Sequence, residues 1–280
     1  MAGLFQVFFW ITQDNRVSLS DDSFDKIESL SYSPYEGYDK KMLSYQQIEN
    51  DVNMLVHFTN KVRTYAASEA EAILEVTSKT DMPIDLGLWL SGDLKENFKE
   101  VERAIKLLEK YPDNIANVIV GNETLLRADI NEVELMAYID FMREYTDKPI
   151  TTAETWDVWE RVPEIANHVD FLTIHILPYW EKIPIELFNS FVIEKYNVVK
   201  SIHPNKKIAI GETGWPSHGY NNRGAVPSLK NQAMAIRGFI NLAKENGWTY
   251  NIIEAFDQQW KGYDEGNVGQ YWGIFTSDRE

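Results

Sequence analysis

Lys207-Ile208-Ala209-Ile210-Gly211-Glu212-Thr213-Gly214-Trp215-Pro216-Ser217 starts as an apolar run and ends on a carboxylate, two glycines and a tryptophan. Ile208 and Ile210 read as a buried strand. An ordinary turn does not follow; an acid stands at the strand tip instead, with an aromatic ring beside it. The pattern recurs along the chain. The run 116–120 leads through Gly121 to Asn122-Glu123-Thr124, and 149–153 leads to Glu154-Thr155-Trp156. The run 171–175 ends on His175 and is followed by Pro178-Tyr179-Trp180. The last run, 250–255, carries Glu254 and precedes Asp257, Trp260 and Lys261. Five successive strands thus finish on ionisable groups with aromatics close behind.

Three earlier runs, 27–31, 61–65 and 84–90, bring the strands to eight. Apolar residues at helical intervals lie between them: Ile48, Val52, Leu55 and Val56 within 44–60, and Phe98, Val101, Ile105 and Leu108 within 96–111. Segments 131–145, 185–202 and 229–246 read the same way. Eight strands alternating with helices over 280 residues predict an α/β fold, a single (β/α)8 TIM barrel spanning 26–280. A doubly wound sheet would open with a glycine-rich phosphate turn. Here the first strand enters Tyr32-Ser33-Pro34-Tyr35-Glu36-Gly37-Tyr38, and no GxGxxG or P-loop follows, which disfavours nucleotide cofactors.

Residues 1–25 form a lead-in. Their apolar stretch, residues 4–11, is too short to span a bilayer and has no basic segment before it. It reads either as an ordinary first helix or as the end of a membrane-proximal segment in a longer parent chain. The net charge of -16, from 43 acids against 27 bases, repels polyanions, so neither nucleic acid nor acidic lipid is an expected partner. The absence of cysteine excludes disulfides, thiol nucleophiles and thiolate metal sites. The five histidines show no HExxH-like spacing, so no metal is expected.

In a barrel all C-terminal strand ends meet on one face, where active sites form. Eight strands about 4.8 Å apart and tilted about 36° give a radius of roughly 8 Å. The fourth and seventh strands are then separated by a chord of roughly 14 Å. Side chains reaching inward about 4 Å each leave roughly 6 Å between the carboxyl groups of Glu123 and Glu212. Retaining glycosidases need about 5–5.5 Å and inverting ones about 6.5–9.5 Å. The spacing admits a working pair and leaves the stereochemistry open.

GNE at the fourth strand end and ETGWPS at the seventh resemble the motifs of glycoside hydrolase family 17, the β-1,3-glucanases and β-1,3-glucanosyltransferases. SYSPYEGY (31–38), VRTYAAS (62–68), TIHILPYW (173–180) and EAFDQQWKGYDEGNVGQYWGIF (254–275) extend the likeness over nearly the whole chain. The wording is similar to the bacterial branch, some of whose members are periplasm-facing domains of membrane-bound glucan-remodelling enzymes.

The resemblance implies a retaining reaction on β-1,3-glucan without cofactor or metal, in a periplasmic or extracellular setting. Glu212 would be the nucleophile and Glu123 the acid/base, with Glu123 held protonated by a raised pKa. Asn122 would hold the sugar 2-hydroxyl. Glu154, Glu254, Asp257 and Lys261 would supply hydrogen bonds or tune charge. Tyr35, Trp156, Tyr179, Trp180, Trp215 and Trp260 are the candidate sugar contacts. His175 departs from the plant pattern, where a tyrosine belongs, and is expected to touch substrate. The plant strand-eight acids align with either Asp257 or Glu265; Asp257 is the one carried forward. Both hydrolysis and transglycosylation fit this chemistry, with glucanosyl transfer favoured. A non-catalytic glucan-binding barrel is the alternative of another class, and loss of either carboxylate would mark it.

Overall fold

The computed structural model describes residues 26–280; the lead-in over 1–25, with its apolar stretch, lies outside the described residues. Eight parallel strands close into a barrel. Round the ring they are β1 (Leu30–Ser31), β4 (Val62–Arg63), β5 (Ile84–Leu88), β6 (Ile115–Asn122), β7 (Ile150–Thr155), β8 (Leu172–His175), β9 (Ile208–Thr213) and β10 (Thr249–Ile252). All eight predicted strands are there. A short antiparallel hairpin, β2 (Tyr35–Glu36) with β3 (Lys41–Met42), rises from the loop after β1.

The helices are α1 (Tyr45–Leu55), α2 (Ala67–Thr77), α3 (Leu94–Lys110), α4 (Glu132–Arg143), α5 (Trp156–Arg161), α6 (Phe188–Ile202) and α7 (Leu229–Asn246). Five match the predicted segments, and their ends carry local signals. The Ser44 side chain and Gln47 form a capping box, Asp93 and Asn131 accept amides of the first turn, and Gly247 closes α7 at φ 64°. Two helices were not predicted. Helix α2 buries a mixed face of Ala67, Glu69 and Ala70 followed by Ile73, Leu74, Val76 and Thr77, and the amides of Ala67 and Ser68 at its start are satisfied by Glu100 from α3, a partner invisible in local sequence. Helix α5 is too short to show a period.

Between strands and helices lies an apolar shell. Leu86, Val118, Ile174 and Ile210 meet Ile73, Leu107, Ile139 and Phe239, all essentially buried. The barrel interior is more polar. Near its floor Lys61 pairs with Asp85 at 2.6 Å, and Asn117 donates to the same carboxylate. Higher up, Arg63 crosses toward Gly211, where an added Cβ would stand 2.2 Å from Thr173. Only glycine admits the crossing there. Register shifts on β6 and β8 fall immediately below Asn122 and His175, re-aiming the strand ends that build the site.

Candidate active site

Glu123 and Glu212 face one cleft. Gly121 at φ 84° and Glu123 at φ 50° turn the chain sharply at the end of β6. The Glu123 amide donates to the Ala153 carbonyl at 2.7 Å. The turn is buttressed from outside itself: Glu154 on β7 accepts the amides of Leu125 at 2.8 Å and Leu126 at 3.4 Å. Arg127 donates to the carbonyls of Asn122 and Leu90 and lies over the Trp89 ring.

Glu212, in β9, is nearly buried, and its Oε1 accepts the Tyr65 hydroxyl at 2.8 Å. Arg63 Nη1 stands 3.5 Å from the same oxygen, and Arg63 Nη2 donates to Asn122 Oδ1 at 2.5 Å. His175 Nδ1 is 2.7 Å from Glu123 Oε1 and 3.6 Å from Glu212 Oε2. One donor atom from each of Glu123, His175 and Glu212 fits within 4.8 Å of the others. That set is of a kind able to bind a divalent cation. Here a hydrogen-bonded imidazole and the Arg63 guanidinium hold it together. The nearest carboxylate oxygens, within 4.8 Å of each other, stand close to the spacing of a retaining pair and well short of the inverting range.

Burial raises the pKa of Glu123, but the His175 N–H, Arg127 and Arg63 together outweigh it and hold the carboxyl below its ordinary value. The expectation of a raised Glu123 is therefore corrected: its nearest neighbours are donors and cations.

The cleft has two lobes that share Glu123, Glu212, Ile253 and Glu265. The first, about 650 Å³, is walled by Tyr35, Asn122, Trp260 and Lys261, together with Lys40, Glu69 and Trp89. The second, about 430 Å³, is walled by Trp156, His175, Trp180, Leu177 and Trp272. Nine of the fourteen anticipated residues thus reach the cleft wall.

The other five stand behind it. Tyr179 and Trp215 are fully buried and pack edge-on to each other; their polar tips donate to the carbonyls of Tyr220 and Val226. No ring face is left for a sugar. Glu154 spends its oxygens on the turn after β6, and burial pushes it up to about 7. Glu254 accepts Lys261 Nζ at 2.7 Å, and burial carries it to about 7 even so. Burial opposes the Lys261 ammonium, but Glu254, Glu265 and Glu212 outweigh it and raise its pKa. Asp257 accepts the Gly273 amide at 2.9 Å and pins the C-terminal segment. Of the two acids left in balance by the plant pattern, it is Glu265 that lines both lobes.

Arg63, Tyr65 and Glu265 were absent from the anticipated set. Arg63 and Tyr65 lie at the end of the second barrel strand, inside the VRTYAAS motif. Extending the strand-end rule from five strands to all eight would have found them.

A family model described as BtgE/BtgC glycoside hydrolase domain matches residues 29–273. The chain is 28% identical over 287 residues to a probable glucan endo-1,3-beta-glucosidase btgC of Aspergillus fumigatus, with 89% of this chain and 41% of that one covered. It is 29% identical over 253 residues to a glucan 1,3-beta-glucosidase of Arthroderma benhamiae, covering 83% and 82%. The chain thus spans about two fifths of the Aspergillus relatives' length. The crystal structure of a glycoside hydrolase family 17 β-1,3-glucanosyltransferase from Rhizomucor miehei superposes with a TM-score of 0.82 at 27% identity, over 91% of this chain and 94% of that one. An active-site mutant of that enzyme was solved in complex with laminaritriose. These relatives do not bear on the bacterial affinity suggested by the motif wording.

Proposed function

The chain belongs to the family of BtgE/BtgC glycoside hydrolase domains, within glycoside hydrolase family 17, and from that premise we propose that it is a retaining glycosidase acting on β-1,3-glucan. The observation that carries the reading is the approach of the Glu123 and Glu212 carboxylates to within 4.8 Å in a shared cleft. Glu212 attacks the anomeric carbon while Glu123 gives its proton to the departing oxygen, which leaves with the bonding pair. In the second half Glu123 takes the proton of an acceptor hydroxyl. That oxygen bonds to the same carbon and Glu212 is released.

The surrounding residues have matching tasks. Tyr65 and Arg63 hold Glu212 in aim. Asn122 turns Oδ1 to the obligate donor Arg63, which leaves its Nδ2 to donate to a sugar oxygen. Tyr35 and Trp260 in one lobe and Trp156 and Trp180 in the other offer apolar faces to glucose rings. The aromatic second lobe favours transfer over hydrolysis, because it gives a sugar acceptor a surface that competes with water.

A polymeric substrate too large to enter a cell points to a periplasmic or extracellular setting. Membrane attachment through a longer parent chain rests on the apolar residues 4–11 alone; no helix among the described residues is long and apolar enough to cross a membrane. Fractionation of the full-length protein tests both. Time-resolved product analysis on laminari-oligosaccharides tests the chemistry. Products longer than the donor mean transfer, solely shorter ones mean hydrolysis, and none overturns the reading. Glu212→Gln is expected to abolish turnover and retain glucan binding by calorimetry, which separates an enzyme from a binding barrel.

A further inference from the structure

The His175 imidazole, only 1% exposed, stands between two carboxylates and a guanidinium. Its Nε2 lies 3.2 Å from Arg63 Nη1. A guanidinium only donates. Arg63 Nη1 gives one hydrogen to the Gly211 carbonyl at 2.6 Å and has a second to give. Nε2 facing it must accept, so the ring carries its hydrogen on Nδ1. Nδ1–H then donates to Glu123 Oε1, 2.7 Å away. The Nε2–H tautomer, or an imidazolium, would set one N–H against another.

We propose that His175, fixed by Arg63, is the positioning residue of the acid/base: it grips Glu123 Oε1 in both protonation states, so that Oε2 alone carries the catalytic proton. The proposal rests on the acid/base role of Glu123 given above. Oε2 gives its proton to the departing oxygen as the glycosidic bond breaks, and later takes the acceptor's proton. Oε1 keeps the same hydrogen bond throughout, and the imidazole is not a shuttle.

The groups facing Glu123 are Arg63 on β4, Arg127 in its own turn, Glu154 on β7, His175 on β8, Glu212 on β9 and Glu265 from the loop after β10. The cations and the Nδ1–H stabilise its anion, and the carboxylates oppose it. A tyrosine would offer one rotatable hydroxyl where the imidazole offers a fixed N–H.

The test combines kinetics with a spectroscopic readout. His175→Phe is expected to lower kcat/KM on laminari-oligosaccharides on the order of 10²-fold. An activated aryl glucoside, whose leaving group needs no proton, should lose far less in the first step. The basic limb of the pH profile should move up by about one unit, because a donor to the anion is gone. His175→Gln, whose amide N–H reaches the same oxygen, should recover about tenfold of the loss. Equal losses on both substrates with an unmoved limb would reduce His175 to a packing residue and overturn the proposal. So would a 15N spectrum of the folded wild type showing the Nε2–H tautomer or an imidazolium at the pH of maximal activity. That spectrum is read without turnover. It therefore judges the tautomer even if the wild type proves inactive, an outcome that would sink the functional reading itself.

Discussion

Glu212 is aimed by groups from two other strands: the Arg63 guanidinium on β4, the Tyr65 hydroxyl just after β4, and, behind it, Ser31 on β1 in contact with Tyr65 at 2.9 Å. At this scale the difference between a wall residue and a buried one decides what a substitution does. Trp260 is part-exposed in the first lobe, whereas Trp215 has no exposed surface and anchors its indole N–H on Val226. Trp215→Ala is expected to cost about 3–5 kcal/mol of stability. Trp260→Ala should stay within about 1 kcal/mol of wild type and act on KM for laminari-oligosaccharides instead. Urea unfolding and steady-state kinetics on the same two variants check the contrast; an intact Trp215→Ala with a raised KM would return that ring to the substrate. The sequence could not make this distinction. ETGWPS places Trp215 one turn from the nucleophile, but which side of the backbone its ring takes is fixed by Tyr179, Phe188 and Val226, distant in the chain. The same limit let Asp257 stand in for Glu265. Both follow the last strand closely, and only the folded loop shows which acid turns into the cleft.

The elements were more legible than their joints. Strands 84–88 and 208–213 set isoleucine or leucine at alternate positions, Ile84, Leu86 and Leu88 in one and Ile208 and Ile210 in the other, and helices such as α3 carry both a period and an Asp93 cap. What local pattern does not encode is how one element's loop is held by another. The turn after β6 is the clearest instance, since Glu154 satisfies its amides from β7. As a strand-end acid two residues before Trp156, Glu154 is expected from the family resemblance to supply hydrogen bonds or tune charge at the cleft. Its geometry makes it a brace for Glu123. Glu154→Ala should therefore lower kcat by about 10–100-fold, in the manner of a misplaced acid/base, with a smaller change in KM. Leaving two amides without their partner should also cost about 1–3 kcal/mol. Full activity in a variant that unfolds earlier would show that the turn holds itself. The hairpin of β2 and β3 is a second joint of this kind. Its Lys40 ammonium sits 4.0 Å above the Trp260 ring, so a loop before α1 shapes a wall built after β10.

Across the whole molecule, the chain concentrates acids where water is scarce. Burial pushes Glu69, Glu154, Glu254, Asp257 and Glu265 each to about 7, from ordinary values of 4.5 for Glu and 3.8 for Asp. Each of these groups holds its proton more tightly folded than unfolded. Between about pH 4 and 7 the native state therefore binds more protons, and stability must fall as pH rises through that window. Their contribution is complete below the unfolded values and lost above about 7. Glu123 works in the opposite sense, since its lowered pKa favours the fold as pH rises, and exposed Glu102 is lowered too, but burial also raises Glu28 and Glu100, so the raised carboxyls outnumber the lowered ones. The excess of 43 acids over 27 bases adds repulsion in the same direction as the five. The melting temperature is thus expected to be higher near pH 5 than near pH 8, by on the order of 5 °C, in calorimetry at constant ionic strength. Glu254→Gln, which removes one buried titration while keeping an acceptor for Lys261, should flatten that slope. A melting temperature that climbs steadily from pH 5 to 8 would mean these carboxyls ionise freely in the fold, and that water reaches the barrel mouth behind the cleft wall.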